Sequence, residues 1–315
     1  MWSPSDSFEI PFGDWVDTAV KGWLVPNFRE AFQAIQVPIS TVLNWLDAGL
    51  NAVPMPVFAL ALTLIAWGLV SRGLAIFTLV SLVFLDLIGV WSETMTTLAM
   101  ILTAVIFCAV VGVPLGIAAA RSDRFAGGLR PVLDIMQTIP PFVYLVPIVM
   151  LFGVGMTPGI IATIIFALPP IIRLTNLGIR SVPGDLVEAA YAFGSTPRQV
   201  LWEVQLPLAL KTIMAGLNQT LMLALSMAVI AALIGAGGLG LTVYTGLGRL
   251  DVGAAAEGGI GIVLIAIILD RITQALGDTR PDRSSPLVET LKSLFRARAS
   301  DARAAPAKGR QQEAT

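Results

Sequence analysis

The 315-residue sequence contains no histidine and a single cysteine, Cys108. The first absence removes imidazole acid–base chemistry and His-based zinc or other metal sites. The second removes any disulfide frame. Cys108 lies inside an apolar run and reads as a small packing residue. Charge is also scarce: 13% of residues are charged against 56% hydrophobic, where a soluble domain carries about 25% charged residues. A net charge of −1 leaves no basic surface for nucleic acid. The first 20 residues hold Asp6, Glu9, Asp14 and Asp17 but no basic residue, so the positive start of a cleaved signal is missing. No G-x-x-x-x-G-K-[ST] occurs, so the chain has no phosphate loop with which to hydrolyse ATP.

What is abundant is long apolar sequence. Stretches at about 54–70, 73–90, 94–120, 132–152, 158–173, 212–234 and 255–272 are long enough, or nearly so, to cross a hydrocarbon core of roughly 30 Å as helices. They are continuous rather than alternating, which excludes a β-barrel. The fold class expected is an all-α polytopic membrane protein with about seven transmembrane helices. An N-out, C-in orientation places 17 of the 20 basic residues on the cytoplasmic side, with only Lys21, Arg29 and Arg249 outside, as the positive-inside rule favours.

Residues 1–53 contain Trp2, Trp15, Trp23 and Trp45 among acids and prolines, with no stretch apolar enough to span. They read either as an external amphipathic segment in the membrane interface or as an extension packed on the bundle. From Arg280 to Thr315, eight basic residues stand among Ala, Ser and Pro. Residues 274–315 therefore read as a disordered cytoplasmic tail, with contact to anionic lipid as the sharper alternative.

Residues 183–207 carry the most specific local signals. Pro183 and Asp185 suit a helix start, and Gly194 suits the position just past its end. Thr196, Pro197 and Gln199 then form a capping box that opens a second helix, which Pro207 is expected to stop. Leu186, Val187, Ala189, Ala190, Phe193, Val200, Leu201 and Val204 make this hairpin too apolar for a solvated loop, which implies a protein partner. Its Glu188-Ala189-Ala190, Gly194 and Leu206-Pro207 resemble the EAA loop of binding-protein-dependent ABC permeases. That resemblance implies docking on a separate ATPase, with Glu188 facing a basic group there and the small alanines allowing deep seating.

Segments 133–159, 166–180 and 217–240 resemble the glycine betaine/proline permeases. The resemblance implies a type I ABC importer core of five helices in residues 94–273, with two additional transmembrane helices at 54–93. It also implies a homodimer in the cell inner membrane, two copies of an ATP-binding subunit that use ATP and Mg, and an external substrate-binding protein. The substrate class implied is a quaternary ammonium or methylamine compatible solute, hence osmoprotection. No cofactor is expected on this chain itself.

Two groups of residues stay open. Phe142 and Tyr144, between Pro140 and Pro147, offer aromatic faces to a quaternary ammonium, and Asn218 and Ser226 are polar residues within a span; all four read as pathway or as packing. Gly235, Gly237 and Gly240 spell G-x-G-x-x-G without the strand and βαβ unit a dinucleotide site needs, and read as a gating loop or a packed turn. A secondary transporter or channel for small polar solutes is the alternative function, disfavoured because no carboxylate sits clearly in mid-span. An intramembrane enzyme lacks a nucleophile–base pair.

Overall fold

The structure is a computed structural model and describes residues 11–277. Residues 1–10 and 278–315 lie outside the described residues, while residues 274–277, read above as the start of a disordered tail, are the last turn of the final helix. The chain forms α1 (Phe12–Asp17), a π-helical turn (Thr18–Leu24), α2 (Val25–Ala52), α3 (Met55–Leu69), α4 (Arg72–Leu87), α5 (Trp91–Arg121), α6 (Asp123–Thr138) and α7 (Pro141–Phe152). It continues with α8 (Met156–Arg180), α9 (Gly184–Ala192), α10 (Pro197–Gln199), a second π-helical turn (Val200–Gln205), α11 (Leu206–Ala232), α12 (Leu239–Arg249) and α13 (Val252–Gly277).

Helix α8 is the central pillar. Ile171 and Ile172 on it are fully buried, and α5 and α11 lie along its two sides. Lipid offers no hydrophobic drive between helices, so close approach of backbones at small residues has to supply the contact. Gly112 and Gly116 of α5 do this against Ile171, Ile172 and Thr175 of α8. On the other side Gly178 of α8 meets Ala209 and Thr212 of α11, while Gly216 of α11 meets Ile171 and Leu174. Pro169 and Pro170 inside α8 are buried in the bundle, where freed backbone groups find protein rather than lipid; Pro114 inside α5 is exposed.

The expected spans need four corrections. Among the described residues, four helices are long and apolar enough to cross a membrane alone: Trp91–Arg121, Met156–Arg180, the continuous Pro197–Ala232, and Val252–Gly277. Counting each of two bent pairs as one span raises this to six, not seven. First, the stretch 132–152 is not one helix. Ile139 is extended (φ −71°, ψ 127°) because the following proline disfavours helical backbone before it, and α6 and α7 meet at 100°. Second, α3 and α4 are 15 and 16 residues long, or about 22–24 Å at 1.5 Å per residue. Each is short of the ~30 Å core.

Third, Val25–Ala52 is one long helix, apolar enough for a span only together with α3. Glu30–Ala52 and α3 qualify together as a pair bent by 104° at Val53, whose backbone is extended before Pro54. Within α2, Ile39 and Leu43 are buried in the core, and Phe32 meets Phe152 of α7 edge-on at 5.4 Å. The segment is therefore packed on the bundle, while Trp15, Trp23 and Trp45 remain exposed. Fourth, Pro207 does not stop a helix: the chain runs on from Pro197 to Ala232.

Candidate functional site

The hairpin forms as its residues dictate, at the end of the bundle where α5 ends and α6 begins. In α9, Gly184–Ala192, Asp185 stands in the first turn. Its end is a Schellman motif: Ser195 N donates to Ala190 O (3.1 Å) and Gly194 N to Tyr191 O (2.9 Å), the paired 6→1 and 5→2 bonds of that motif. Gly194 takes the left-handed conformation the motif requires, φ +85°. Both halves of the capping box then close. Gln199 N donates to Thr196 Oγ1 (3.4 Å) and Thr196 N to Gln199 Oε1 (2.9 Å).

The π-helical turn Val200–Gln205 follows and explains why Pro207 fails as a terminator. A proline in a helix deletes one i→i−4 bond and crowds the preceding carbonyl. A π-turn widens the spacing to i→i+5 just ahead of it, so the helix reaches the membrane unbroken.

The apolar residues of the hairpin divide between two faces. Val200 (1% exposed) and Leu201 (4%) point inward. Phe193 (91%) and Trp202 (60%) point out, with Leu186 and Tyr191 also exposed. Glu188 and Ala189 are exposed and Ala190 half-buried, and α9 buries no residue at all. An apolar, aromatic surface standing clear of its own bundle is the signature of a protein contact. Sequence reasoning missed Tyr191 and Trp202, though large aromatics beside a capped hairpin are themselves a usable signal.

Long-range polar contacts tie the helix ends around the hairpin, one of them reaching the hairpin itself, and these were invisible in sequence. Arg121, the last residue of α5, donates from Nη2 to Pro197 O (3.2 Å). Arg180, the last residue of α8, donates to Asp123 (2.6 Å), to Asn176 (2.8 Å) and to the Ala119 carbonyl (2.8 Å). Arg173 reaches Asp134 (2.6 Å) and Gln137 (2.8 Å) on α6. These groups are largely exposed, so each pair is worth at most ~1 kcal/mol. The Arg121 bond ties the second half of the hairpin to the end of α5, while the Arg173 and Arg180 contacts tie α8 to α5 and α6.

The other singled-out residues are not gathered into one cluster by their bonds. Phe142 is exposed. Tyr144 donates its hydroxyl to Met136 O (2.6 Å), occupying a carbonyl at the open end of α6, while its ring lies against the cluster containing Leu145, Ile148 and Met227. Asn218 donates to Asp270 Oδ1 of α13 (2.8 Å), which also accepts from Gln274 (2.7 Å). Because α13 continues to Gly277, Asp270 lies about two turns inside the helix rather than at its end. Ser226 Oγ donates to Met222 O (3.0 Å) within its own helix.

At the opposite end of the bundle, Gly235 (φ +82°) and Gly238 (φ +77°) turn the chain from α11 into α12. Gly240 is buried with its Cα against the backbone of Ala228. Thr97 Oγ1 accepts from Leu239 N (2.7 Å). Gly237 has an ordinary φ and only loose neighbours. The segment is a packed turn in this conformation.

Residues 112–279 match the family described as binding-protein-dependent transport system inner membrane component. The glycine betaine/proline betaine transport system permease protein ProW of Escherichia coli is 58% identical over 85% of this chain and 75% of its own length. The glycine betaine transport system permease protein OpuAB of Bacillus subtilis is 46% identical over 88% of this chain and 98% of its own. The trimethylamine N-oxide transport system permease protein TmoV of Ruegeria pomeroyi is 36% identical over 86% of this chain and 42% of its own. Among solved structures, an inward-facing conformation of the MetNI methionine ABC transporter aligns with TM-score 0.51 at 25% identity, over 62% of this chain and 94% of that one. A helical bundle with a type I importer core, the capped hairpin at one end and a family match spanning both together identify this chain as a multi-pass member of the binding-protein-dependent transport system inner membrane component family.

Proposed function

We propose that two copies of this chain form the translocation path of an ATP-driven importer for a quaternary ammonium or methylamine compatible solute. Residues 183–207 dock on a separate ATPase, present in two copies and using ATP and Mg, while an external binding protein delivers the solute. Glu188, Ala189, Ala190 and Gly194 form the docking element, and Pro207 marks where it joins the spanning helix. The N-terminus lies outside and the hairpin inside, in keeping with the distribution of basic residues. The observation that carries the reading is the rigidly capped hairpin whose aromatic side stands free of the bundle.

The substrate class rests on what the relatives carry by name: glycine betaine, proline betaine and trimethylamine N-oxide. Phe142 and Tyr144 supply aromatic faces for such a cation. Asn218 and Ser226 line the path in this reading, and the turn at Gly235, Gly237 and Gly240 moves when the outer side opens. Lipid surrounds the bundle.

Reconstituted with its ATPase and binding protein, the chain is expected to accumulate glycine betaine or a close methylamine only when all three proteins and MgATP are present. Uptake of such a solute by the chain alone, driven by an ion gradient, would contradict the proposal.

A further inference from the structure

The spanning helices differ in what they expose. Through the middle of α5 the exposed large side chains are Ile106, Val110 and Val111, and through the middle of α13 they are Ile260, Val263 and Ile267. Faces of this kind suit lipid. On α11 the exposed positions include Ala215, Gln219, Met222 and Ser226, whose spacing of four, three and four residues places them on one helix face. Ser226 satisfies its hydroxyl within its own helix. Gln219 does not: among the described residues its amide has no hydrogen-bond partner.

The packing sets the depth of Gln219. Gly216, one turn before it, rests on Ile171 of α8, and Ile171 rests on Gly112 of α5. At 1.5 Å per residue this level lies about 20 Å from either end of α11 and at least ~13 Å from the ends of α5 and α8. A glutamine side chain is too short to reach an interface from there. Its amide has two N–H donors and an acceptor oxygen, none of which hydrocarbon can satisfy. Asn218 beside it is committed to Asp270 of α13 (2.8 Å), which bounds one edge of the face. Ile230 bounds the other, and Tyr144 of α7 packs on the same apolar cluster. Between these edges the exposed face of α11 has to meet water.

We infer that this face of α11 is a wall of the translocation path and that Gln219 is the residue on it that contacts the solute. The inference rests on the importer reading above and gives that path a polar contact inside the bundle. The nitrogen of a betaine or an amine oxide has no N–H, so hydrogen bonding falls to the carboxylate or N-oxide oxygen. Gln219 supplies N–H donors for that oxygen, while the methyl groups pass along Ala215 and Met222. An uncharged donor holds the oxygen less firmly than arginine or lysine would, and a path has to bind weakly enough for its solute to leave.

The test labels single introduced cysteines in the full transporter, held in lipid nanodiscs open on both sides, with a membrane-impermeant thiol reagent that carries a trimethylammonium group. The native Cys108 is buried and sets the background. Gln219→Cys and Ser226→Cys are expected to react about tenfold or more faster than Val110→Cys and Val263→Cys, because a thiol ionises and reacts only where water reaches it. In a second arm, Gln219→Leu should lower glycine betaine uptake about tenfold, as for loss of one hydrogen bond to a charged group. Membrane levels and ATP hydrolysis stimulated by the binding protein should be retained, and Gln219→Asn should lose less uptake. Equally slow labelling at all four positions would place the face in lipid and overturn the assignment. A spontaneous disulfide between two copies of Gln219→Cys without labelling, the mark of a dry seam, would overturn it as well. Parent-level uptake by Gln219→Leu would remove that residue from contact with the solute. Should the Gln219 variants not reach the membrane, slow reaction of Ser226→Cys, an exchange of near-equal size, would overturn the path wall by itself. Labelling needs no transport, so its failure is distinct from that of the importer reading, which falls if the parent accumulates solute without ATP.

Discussion

Replacing Gly194 by valine is expected to separate ATP hydrolysis from uptake. Gly194 holds φ +85° at the Schellman turn between α9 and α10. The space around it is open, with no atom within 4 Å of where a Cβ would stand, so any effect comes from the backbone rather than from a clash. A β-branched residue forced to positive φ stores ~1–3 kcal/mol, and each 1.4 kcal/mol is a tenfold change in population. The native turn should therefore be depopulated about 5- to 150-fold on that same scale. The exposed row of Leu186, Phe193 and Trp202 then no longer stands in one arrangement. Solute accumulated per ATP hydrolysed should fall about tenfold or more, with the chain still present in the membrane. Gly194→Asn, which tolerates the left-handed region, should keep most of the coupling. Normal accumulation per ATP in the valine variant would remove Gly194 from the coupling element.

The second large effect is expected at Gly116, where the consequence is assembly rather than coupling. A Cβ there would stand 2.5 Å from Thr175 Cβ and 2.9 Å from the Ile172 carbonyl oxygen of α8. The carbonyl belongs to a helix backbone and cannot swing aside. Gly116→Leu forces α5 and α8 apart along the contact made by Gly112 and Gly116, at a cost at or above the ~1–3 kcal/mol typical of overpacking. Membrane levels should fall about tenfold. Gly127→Ala and Gly128→Ala on α6 are the matched controls, since nothing lies within 4 Å of either added methyl. Both should leave levels unchanged or raise stability by ~0.5–1 kcal/mol. Wild-type levels of Gly116→Leu in immunoblots of isolated membranes would show that α5 and α8 do not meet as described.

These two glycines show where sequence was and was not informative. Gly194 was legible because helix ends are written locally: Pro183, Asp185, Thr196, Pro197 and Gln199 each act within a turn of themselves. The hairpin consequently formed with the caps the residues announce. Gly112 and Gly116 were hidden inside the most apolar run of the chain, where average hydropathy registers a span and says nothing of which face meets which neighbour.

Prolines were harder to read for the same reason. Pro140 and Pro141 do break their helix, because the residue before them is driven to extended backbone and no neighbouring turn absorbs the defect. Pro207 does not, because the π-turn at Val200–Gln205 absorbs it. Deciding between the two cases needs the backbone itself. The contacts of Arg121 with Pro197 and of Arg180 with Asp123 span 76 and 57 residues, and no local pattern encodes them. The α3–α4 pair read as two spans because its apolar stretches at about 54–70 and 73–90 are nearly long enough to cross. At 15 and 16 residues, each helix is shorter than the ~20 residues a full crossing takes.

The central claim is that the hairpin is the contact through which a separate ATPase drives this permease, and a photo-crosslink tests it most directly. A photoreactive residue placed at Phe193, which is 91% exposed, should give an adduct with the ATP-binding subunit in the assembled transporter. A probe at Leu250, equally exposed but beyond α12 at the opposite end of the bundle, should give none. Adduct at Phe193 alone is the predicted result. Adduct with the ATPase at Leu250 and not at Phe193 would contradict the account.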